Sequence, residues 1–131
     1  MLEVGKKHRQ ETGEELMVPR WDIVPIPEHL RKNVNPDANM EFPAETAQSM
    51  FDFKADEVVG NIAPRPLLLL HSASDSVTPT EQSVEMFKRA GKPTELILMA
   101  DIDHFPFSDE GSRVVEILKG WLDKYFPATI A

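Results

Sequence analysis

Hydrophobic positions along this chain fall into two regimes. From Pro66 onward they are regular, and Leu67-Leu68-Leu69-Leu70, bounded by Pro66 and a Ser-rich turn, predicts a strand buried on both faces as in a parallel sheet. Thr78, Pro79 and Glu81 form the Thr-x-x-Glu pattern of a capping box with proline at the first helical position. The helix they predict runs to about Ala90 and stops at Gly91, with Thr80, Val84 and Phe87 as its buried stripe. Thr94 to Ala100 reads as a second strand, and Ser108, Asp109 and Glu110 as the opening of a last helix. The apolar face of that helix is Val114, Val115, Leu118, Trp121, Leu122 and Tyr125. Two such strands joined by a helix pair in parallel through a right-handed crossover, so residues 63–131 read as a βαβα unit, parallel strands flanked by helices.

The preceding residues 1–62 lack that regularity. Residues 1–66 hold seven of the eleven prolines, at positions 19, 25, 27, 36, 43, 64 and 66, and these interrupt every pattern before it reaches ordinary length. An irregular Pro-rich segment of loops and short helices is expected. It includes a helix from about Ala44 to Phe51 with Ala47, Met50 and Phe51 on one side, and a helical turn around Ala55 to Gly60. Trp21, Ile23, Val24, Ile26 and Leu30 follow no period and suit docking against a neighbouring surface. There is no internal repeat. A two-stranded parallel sheet containing four leucines also leaves an apolar face and an open edge, which asks for further strands or a second chain.

Composition narrows the classes of function. A chain of 131 residues suits one domain or part of a larger one. With a net charge of -8 and a pI near 4.9, it has no electrostatic support for binding nucleic acid or an anionic membrane surface. The acidity is spread along the sequence and forms no tail. The absence of cysteine removes disulfides, thiolate metal sites and a cysteine nucleophile, and favours a cytoplasmic protein. The longest apolar run, Leu67 to Leu70, is too short to span a bilayer, and no targeting signal stands at the charged N-terminus. No Gly-rich phosphate loop is present, so no nucleotide or other cofactor is expected.

Chemistry concentrates after the two predicted strands, in Ser74-Asp75-Ser76-Val77-Thr78-Pro79 and Asp101-Ile102-Asp103-His104-Phe105. In an open parallel sheet ligands bind at the carboxyl ends of the strands, and parallel neighbours bring those ends together. Asp75 could there accept the imidazole N–H of His104, fixing its tautomer, while the other ring nitrogen takes a proton from a hydroxyl. On spacing alone Asp75 reads equally well as a turn residue and His104 as an exposed loop residue. His71 ends a strand and reads as a satisfied core histidine; His8 and His29 lie in irregular segments. Asp101, Asp103, His104 and Asp109 are rich in oxygen ligands, but alternating acids in a loop are commonly just solvated, and no metal is expected.

The stretch from Ala63 to Pro127 resembles the C-terminal end of α/β-hydrolases, especially the dienelactone-hydrolase and acylaminoacyl-peptidase-like branch. The resemblance is carried by Ala63-Pro64-Arg65-Pro66 leading into the Leu strand, by Ser74-Asp75 with Thr78-Pro79, and by the strand ending in Asp103-His104-Phe105. It implies that Asp75 and His104 are the acid and base of a catalytic triad. The family often carries glycines just before the histidine, where this chain has Asp101 and Asp103; a carboxylate there could raise the imidazole pKa or compete with Asp75. The family nucleophile lies on a Gly-x-Ser-x-Gly elbow upstream of the acid, and none of the six glycines frames one. Ser72, Ser74, Ser76 and Ser112 read as turn or helix-surface hydroxyls. The resemblance further implies that residues 1–62 are a lid or pocket segment, in which Trp21, Met40 and Phe42, with Met50 and Phe51, could line an acyl site; packing on a core is the simpler explanation of them.

Two functions of different class follow. One is the C-terminal portion of a serine-type hydrolase of ester, thioester or peptide substrates, supplying acid and base while the nucleophile is encoded elsewhere, so that the chain alone is inactive. The other is a non-catalytic interaction or structural module that forms a homodimer through its open sheet edge.

Overall fold

Sixty-odd irregular residues precede the regular half, and the computed structural model gives each its own organisation. It describes residues 1–107 and 112–128, which divide into two units, Met1–Lys54 and Ala55–Ala131.

The first unit opens with a helix that the hydrophobic pattern does not signal, α1 (Leu2–Thr12). Its residues are mostly good helix formers, Glu, Lys, Gln and Arg, without an apolar stripe, and it ends where Gly13 turns to φ 80. The helix is seated through Gly5, whose missing side chain admits Ala44: a Cβ added there would lie 2.9 Å from the Ala44 Cβ. Arg9 reinforces the contact by donating from Nε to Glu45 at 2.7 Å and from Nη2 to Glu15 at 2.7 Å. Two three-residue strands, β1 (Met17–Pro19) and β2 (Glu41–Pro43), pair antiparallel with Val18 opposite Phe42. Between them lie α2 (Arg20–Ile23) and a 3₁₀ helix (Glu28–Asn33), and after them α3 (Thr46–Asp52). The helix expected over 44–51 is thus present, but its expected apolar side is not buried. Met50 and Phe51 face solvent, while Ala44, just before the helix, is buried together with Ile26 and Leu30.

The second unit begins with α4 (Ala55–Val58), continued by a 3₁₀ turn (Val59–Ile62) that buries Val59. Next come β3 (Leu67–Ser72), α5 (Thr80–Arg89), β4 (Thr94–Met99) and α6 (Ser112–Tyr125). β3 and β4 pair in parallel, from Leu67 opposite Thr94 to Ser72 opposite Met99, and α5 packs on both. This is the βαβα unit expected from the sequence. Its leucines, however, are half-buried and not enclosed on both faces, because the sheet of the described residues has two strands. The capping box is not formed: Pro79 occupies the N-cap, and Thr80 spends its hydroxyl on the Ser72 carbonyl at 2.8 Å. On α5 the inner stripe is Thr80, Ser83, Val84 and Met86, with Phe87 outward. On α6, Val114 is buried, Ile117, Leu118, Trp121 and Tyr125 are half-buried, and Val115 and Leu122 are exposed. The expected helix opening at Ser108, Asp109 and Glu110 lies outside the described residues.

Close approach makes Gly91 the most demanding position of this unit. A Cβ there would stand 2.4 Å from the Ala63 Cβ, a methyl with no rotamer to escape into, and 3.5 Å from the Gly60 carbonyl. Gly91→Ala is therefore expected to destabilise the chain by about 1–3 kcal/mol, lowering the urea midpoint at unchanged slope. A midpoint equal to wild type would show that the segments do not meet this closely.

Candidate functional site

Parallel pairing delivers the ends of β3 and β4 to the same edge of the sheet, and the ladder runs on past them through Ala73 N–H donating to the Met99 carbonyl at 2.8 Å. Asp75 lies three residues beyond Ser72 and His104 five residues beyond Met99. The two loops are tied at their base by Ser72, a buried residue whose hydroxyl donates to the Ile102 carbonyl and accepts the Ser74 N–H at 3.1 Å.

Sequence-predicted Asp75 and His104 meet. His104 Nδ1 stands 3.0 Å from Asp75 Oδ2 and 3.2 Å from Oδ1. Both neighbours are carboxylate oxygens, so Nδ1 carries a proton and donates it; in the neutral ring Nε2 is then the lone pair, and it has no hydrogen-bond partner among the described residues. The ring is further steadied edge-on by Phe105, at 5.0 Å between centroids and 81° between planes. The imidazole is partly exposed, whereas the Asp75 side chain is only 5% exposed.

A carboxylate so enclosed must find donors. Asp75 Oδ1 accepts the backbone N–H groups of Val77 and Thr78, each at 2.7 Å, an Asx turn closed on its own loop. Burial pushes the Asp75 pKa up, but the Thr78 N–H, the His104 ring N–H and the Val77 N–H together outweigh it and hold the group below the ordinary carboxylate value. Asp75 is ionised at neutral pH.

His71, the expected core histidine, is a satisfied one, and it also touches the site. Its Nε2 faces two acceptors, the Thr78 carbonyl at 3.1 Å and Asp75 Oδ2 at 3.3 Å, so Nε2 carries the proton; Nδ1 then accepts the Ser83 hydroxyl at 2.5 Å. Ser83 and the Thr78 carbonyl could not be read from the sequence, since only the start of α5 at Thr80 turns Ser83 toward β3. Asp103 is likewise placed differently from expectation: its carboxylate accepts the Ser76 N–H at 2.9 Å and the Ser76 hydroxyl, while Asp75 takes the imidazole Nδ1. Those donors, the Ser76 N–H foremost, lower the Asp103 pKa despite some burial and the nearby charge of Asp75.

A cleft of about 200 Å³ lies over this pair, walled by Leu70, His71, Ser72, Asp75, Thr78, His104 and Pro106. Among the described residues no three His, Asp or Glu side chains gather to hold a metal ion: Asp101 pairs with Arg113 at 2.8 Å, and Asp109 lies outside those residues. No helix of the described residues is long and apolar enough to cross a membrane. The pocket candidates belong to the first unit. There Trp21 and Phe42 flank the Arg20 guanidinium at 6.0 and 5.6 Å, Met40 accepts the Arg20 backbone N–H at 2.7 Å, and Met50 and Phe51 are exposed.

The depressed pKa of Asp75 has a consequence for stability. A group with a lower pKa folded than unfolded adds stability above its unfolded value, near 3.8, and loses it as pH falls through the folded value. Wild type is thus expected to lose stability steeply below about pH 4 and Asp75→Asn to show a flatter dependence there, measured by urea unfolding between pH 7 and 3. Parallel pH profiles for the two proteins would contradict the assignment.

Comparison with known proteins adds the surrounding architecture. No family model matches the chain. A protein of Escherichia coli (strain K12), YfhR, itself named only as uncharacterized, is 32% identical over 78 residues, 59% of this chain and 28% of that protein. Its counterpart in Salmonella typhimurium is 33% identical over 52 residues, 40% of this chain and 18% of that protein. Among solved structures, an alpha/beta hydrolase, GrgF, from Penicillium superposes with a TM-score of 0.75 at 15% identity, covering 96% of this chain and 47% of that one. A hypothetical protein of Pseudomonas aeruginosa gives 0.74 at 18% identity over 95% and 43%. The esterase domain of a Rhodothermus marinus protein gives 0.50 at 26% identity over 76% and 45%. The matched stretch spans little more than a quarter of the length of the Escherichia coli relative, and the chain somewhat under half of the solved chains. Its architecture, a parallel strand pair flanked by helices, is that of the α/β-hydrolase fold.

Proposed function

We propose that the chain is the C-terminal portion of a serine-type α/β-hydrolase, of the dienelactone-hydrolase or acylaminoacyl-peptidase-like branch, in which Asp75 is the acid and His104 the base of the triad. The supporting observation is the Asp75–His104 pair at 3.0 Å, with Nδ1 protonated and Nε2 without a hydrogen-bond partner among the described residues, at the carboxyl ends of parallel strands. In the proposed reaction a serine hydroxyl supplied by polypeptide outside this sequence gives its proton to His104 Nε2 as its oxygen attacks the acyl carbon of an ester, thioester or peptide. The imidazolium so formed is stabilised by ionised Asp75, then protonates the leaving group, and the acyl-enzyme is released by water that the same nitrogen deprotonates. The first unit would supply lid or pocket residues, Trp21, Met40 and Phe42 among them, and the protein would work in the cytoplasm.

A second reading has its own observation. Beside β3 lies an open apolar groove of about 440 Å³, lined by Leu67, Leu68, Leu70, Phe107, Leu118 and Trp121 among others. A second copy of the chain seated there would make it a structural module with Asp75 and His104 idle, and such a chain would sediment as a dimer at micromolar concentration.

The two are separated by activity. The 131-residue chain alone is expected to hydrolyse an activated ester no faster than buffer, and joining it to a polypeptide that carries a Gly-x-Ser-x-Gly elbow is expected to give turnover. In that completed protein His104→Ala should lower kcat on the order of 10⁴-fold, since triad members act as a unit. Turnover within about tenfold of wild type in this variant would sink the role of base.

A further inference from the structure

Two dipeptides cross at the candidate site. Ser76 directly follows Asp75, and Asp103 directly precedes His104. Asp75 takes the His104 ring N–H, while Asp103 takes Ser76 in return: its Oδ1 accepts the Ser76 N–H at 2.9 Å, and the Ser76 hydroxyl lies 3.0 Å from Oδ1 and 2.9 Å from Oδ2. Asp103 Oδ1 also accepts the backbone N–H of His104 at 2.7 Å. Each loop thus presents a carboxylate to the other.

The two halves of this cross are not equivalent. The acid loop is closed on itself by the Val77 and Thr78 N–H groups and by His71, so Asp75 has a fixed position without help from the other side. Among the described residues the base loop is tied before it reaches His104 by Asp101 on Arg113, the Ile102 carbonyl on Ser72 and Asp103 on Ser76. Of these, only Asp103 bonds to the His104 backbone itself. Asp103 is ionised, held below its ordinary pKa chiefly by the Ser76 N–H, so its bonds are charge-assisted and stronger than those of a neutral acceptor.

We propose that Asp103 is a positioning residue that, clamped on Ser76, holds the His104 imidazole against Asp75 in its Nδ1–H tautomer. Its catalytic meaning rests on the hydrolase role given above; the clamp itself does not. In a working triad the alternative tautomer would put a proton on Nε2 and leave nothing to receive one from the nucleophile. An Asn at position 103 keeps an Oδ1 acceptor for the Ser76 and His104 N–H groups, and is therefore the conservative replacement that separates geometry from charge.

The test uses the full ¹⁵N-labelled chain, brought to a pH above which the His104 ring ¹⁵N shifts no longer change, and reads the His104 ring nitrogens by long-range ¹H–¹⁵N correlation. Asp103→Ala is expected to lower the ratio of the Nδ1–H to the Nε2–H form about fivefold or more, the worth of one net hydrogen bond. Ser76→Ala should lower it less, because the Ser76 N–H remains, and Asp103→Asn should restore most of it. Where Asp103→Ala loses the dispersed amide signals of β3 and β4, Ser76→Ala decides. A ratio unchanged in the folded Ala variants overturns the clamp, as does Asp103→Asn behaving like Asp103→Ala. Failure of the hydrolase role would show elsewhere, as full turnover of His104→Ala in the completed protein, and would leave the tautomer result standing.

Discussion

A carboxylate removed from water keeps its charge only where hydrogen-bond donors replace the water, and the loops after β3 and β4 are arranged around that requirement at Asp75. Two of its donors, the Val77 and Thr78 N–H groups, come from the turn that Asp75 itself begins, and one comes from the other strand's loop as the His104 ring. His71 adds a weaker contact from the strand. The consequence runs outward. After the turn closed on Asp75, α5 begins at Thr80, which donates its hydroxyl to the Ser72 carbonyl and leaves Ser83 turned toward His71. The turn before the helix, the histidine in the strand and the imidazole across the cleft all converge on one buried charge.

How much of this was legible in the sequence depended on whether a signal was local. The β3, α5 and β4 succession was readable because Pro66, the Ser-rich turn and Gly91 punctuate runs of distinct periodicity. Topology put Asp75 and His104 within reach of one another, since a parallel crossover puts both strand ends on one edge, and the resemblance to α/β-hydrolases decided for a pair over two separate loop residues. α1 was missed because a helix without an apolar stripe looks like solvated polar sequence; its anchor is the absence of a side chain at Gly5 against Ala44, far off along the chain. β1 and β2, three residues each, are too short to establish a period of two. Thr78 was misread as a cap because Thr-x-x-Glu records a propensity, and the Asx turn of Asp75 outcompeted it for the same backbone N–H.

Asp103 shows the same limit more sharply. Adjacency in sequence suggested that its carboxylate would act on the neighbouring imidazole, yet successive side chains need not share a direction. The carboxylate takes Ser76 and the His104 backbone, while Asp75, 29 residues away, takes the ring. Proximity along the chain is a poor guide to which of two acids serves a histidine; the end of a parallel neighbour strand is a better one.

The half-burial of β3 and the openness of the cleft over Asp75 and His104 are linked by shared walls. A strand of four consecutive leucines is a residue choice for a sheet covered on both faces, and in the described residues β3 pairs only with β4, leaving the Leu67, Leu68 and Leu70 groove open. Leu70 and Pro106 line that groove and also the cleft over Asp75 and His104. Whatever fills the groove therefore abuts the cleft through shared walls. Filling it removes apolar surface from water, including that of Leu70 and Pro106, which also wall the cleft.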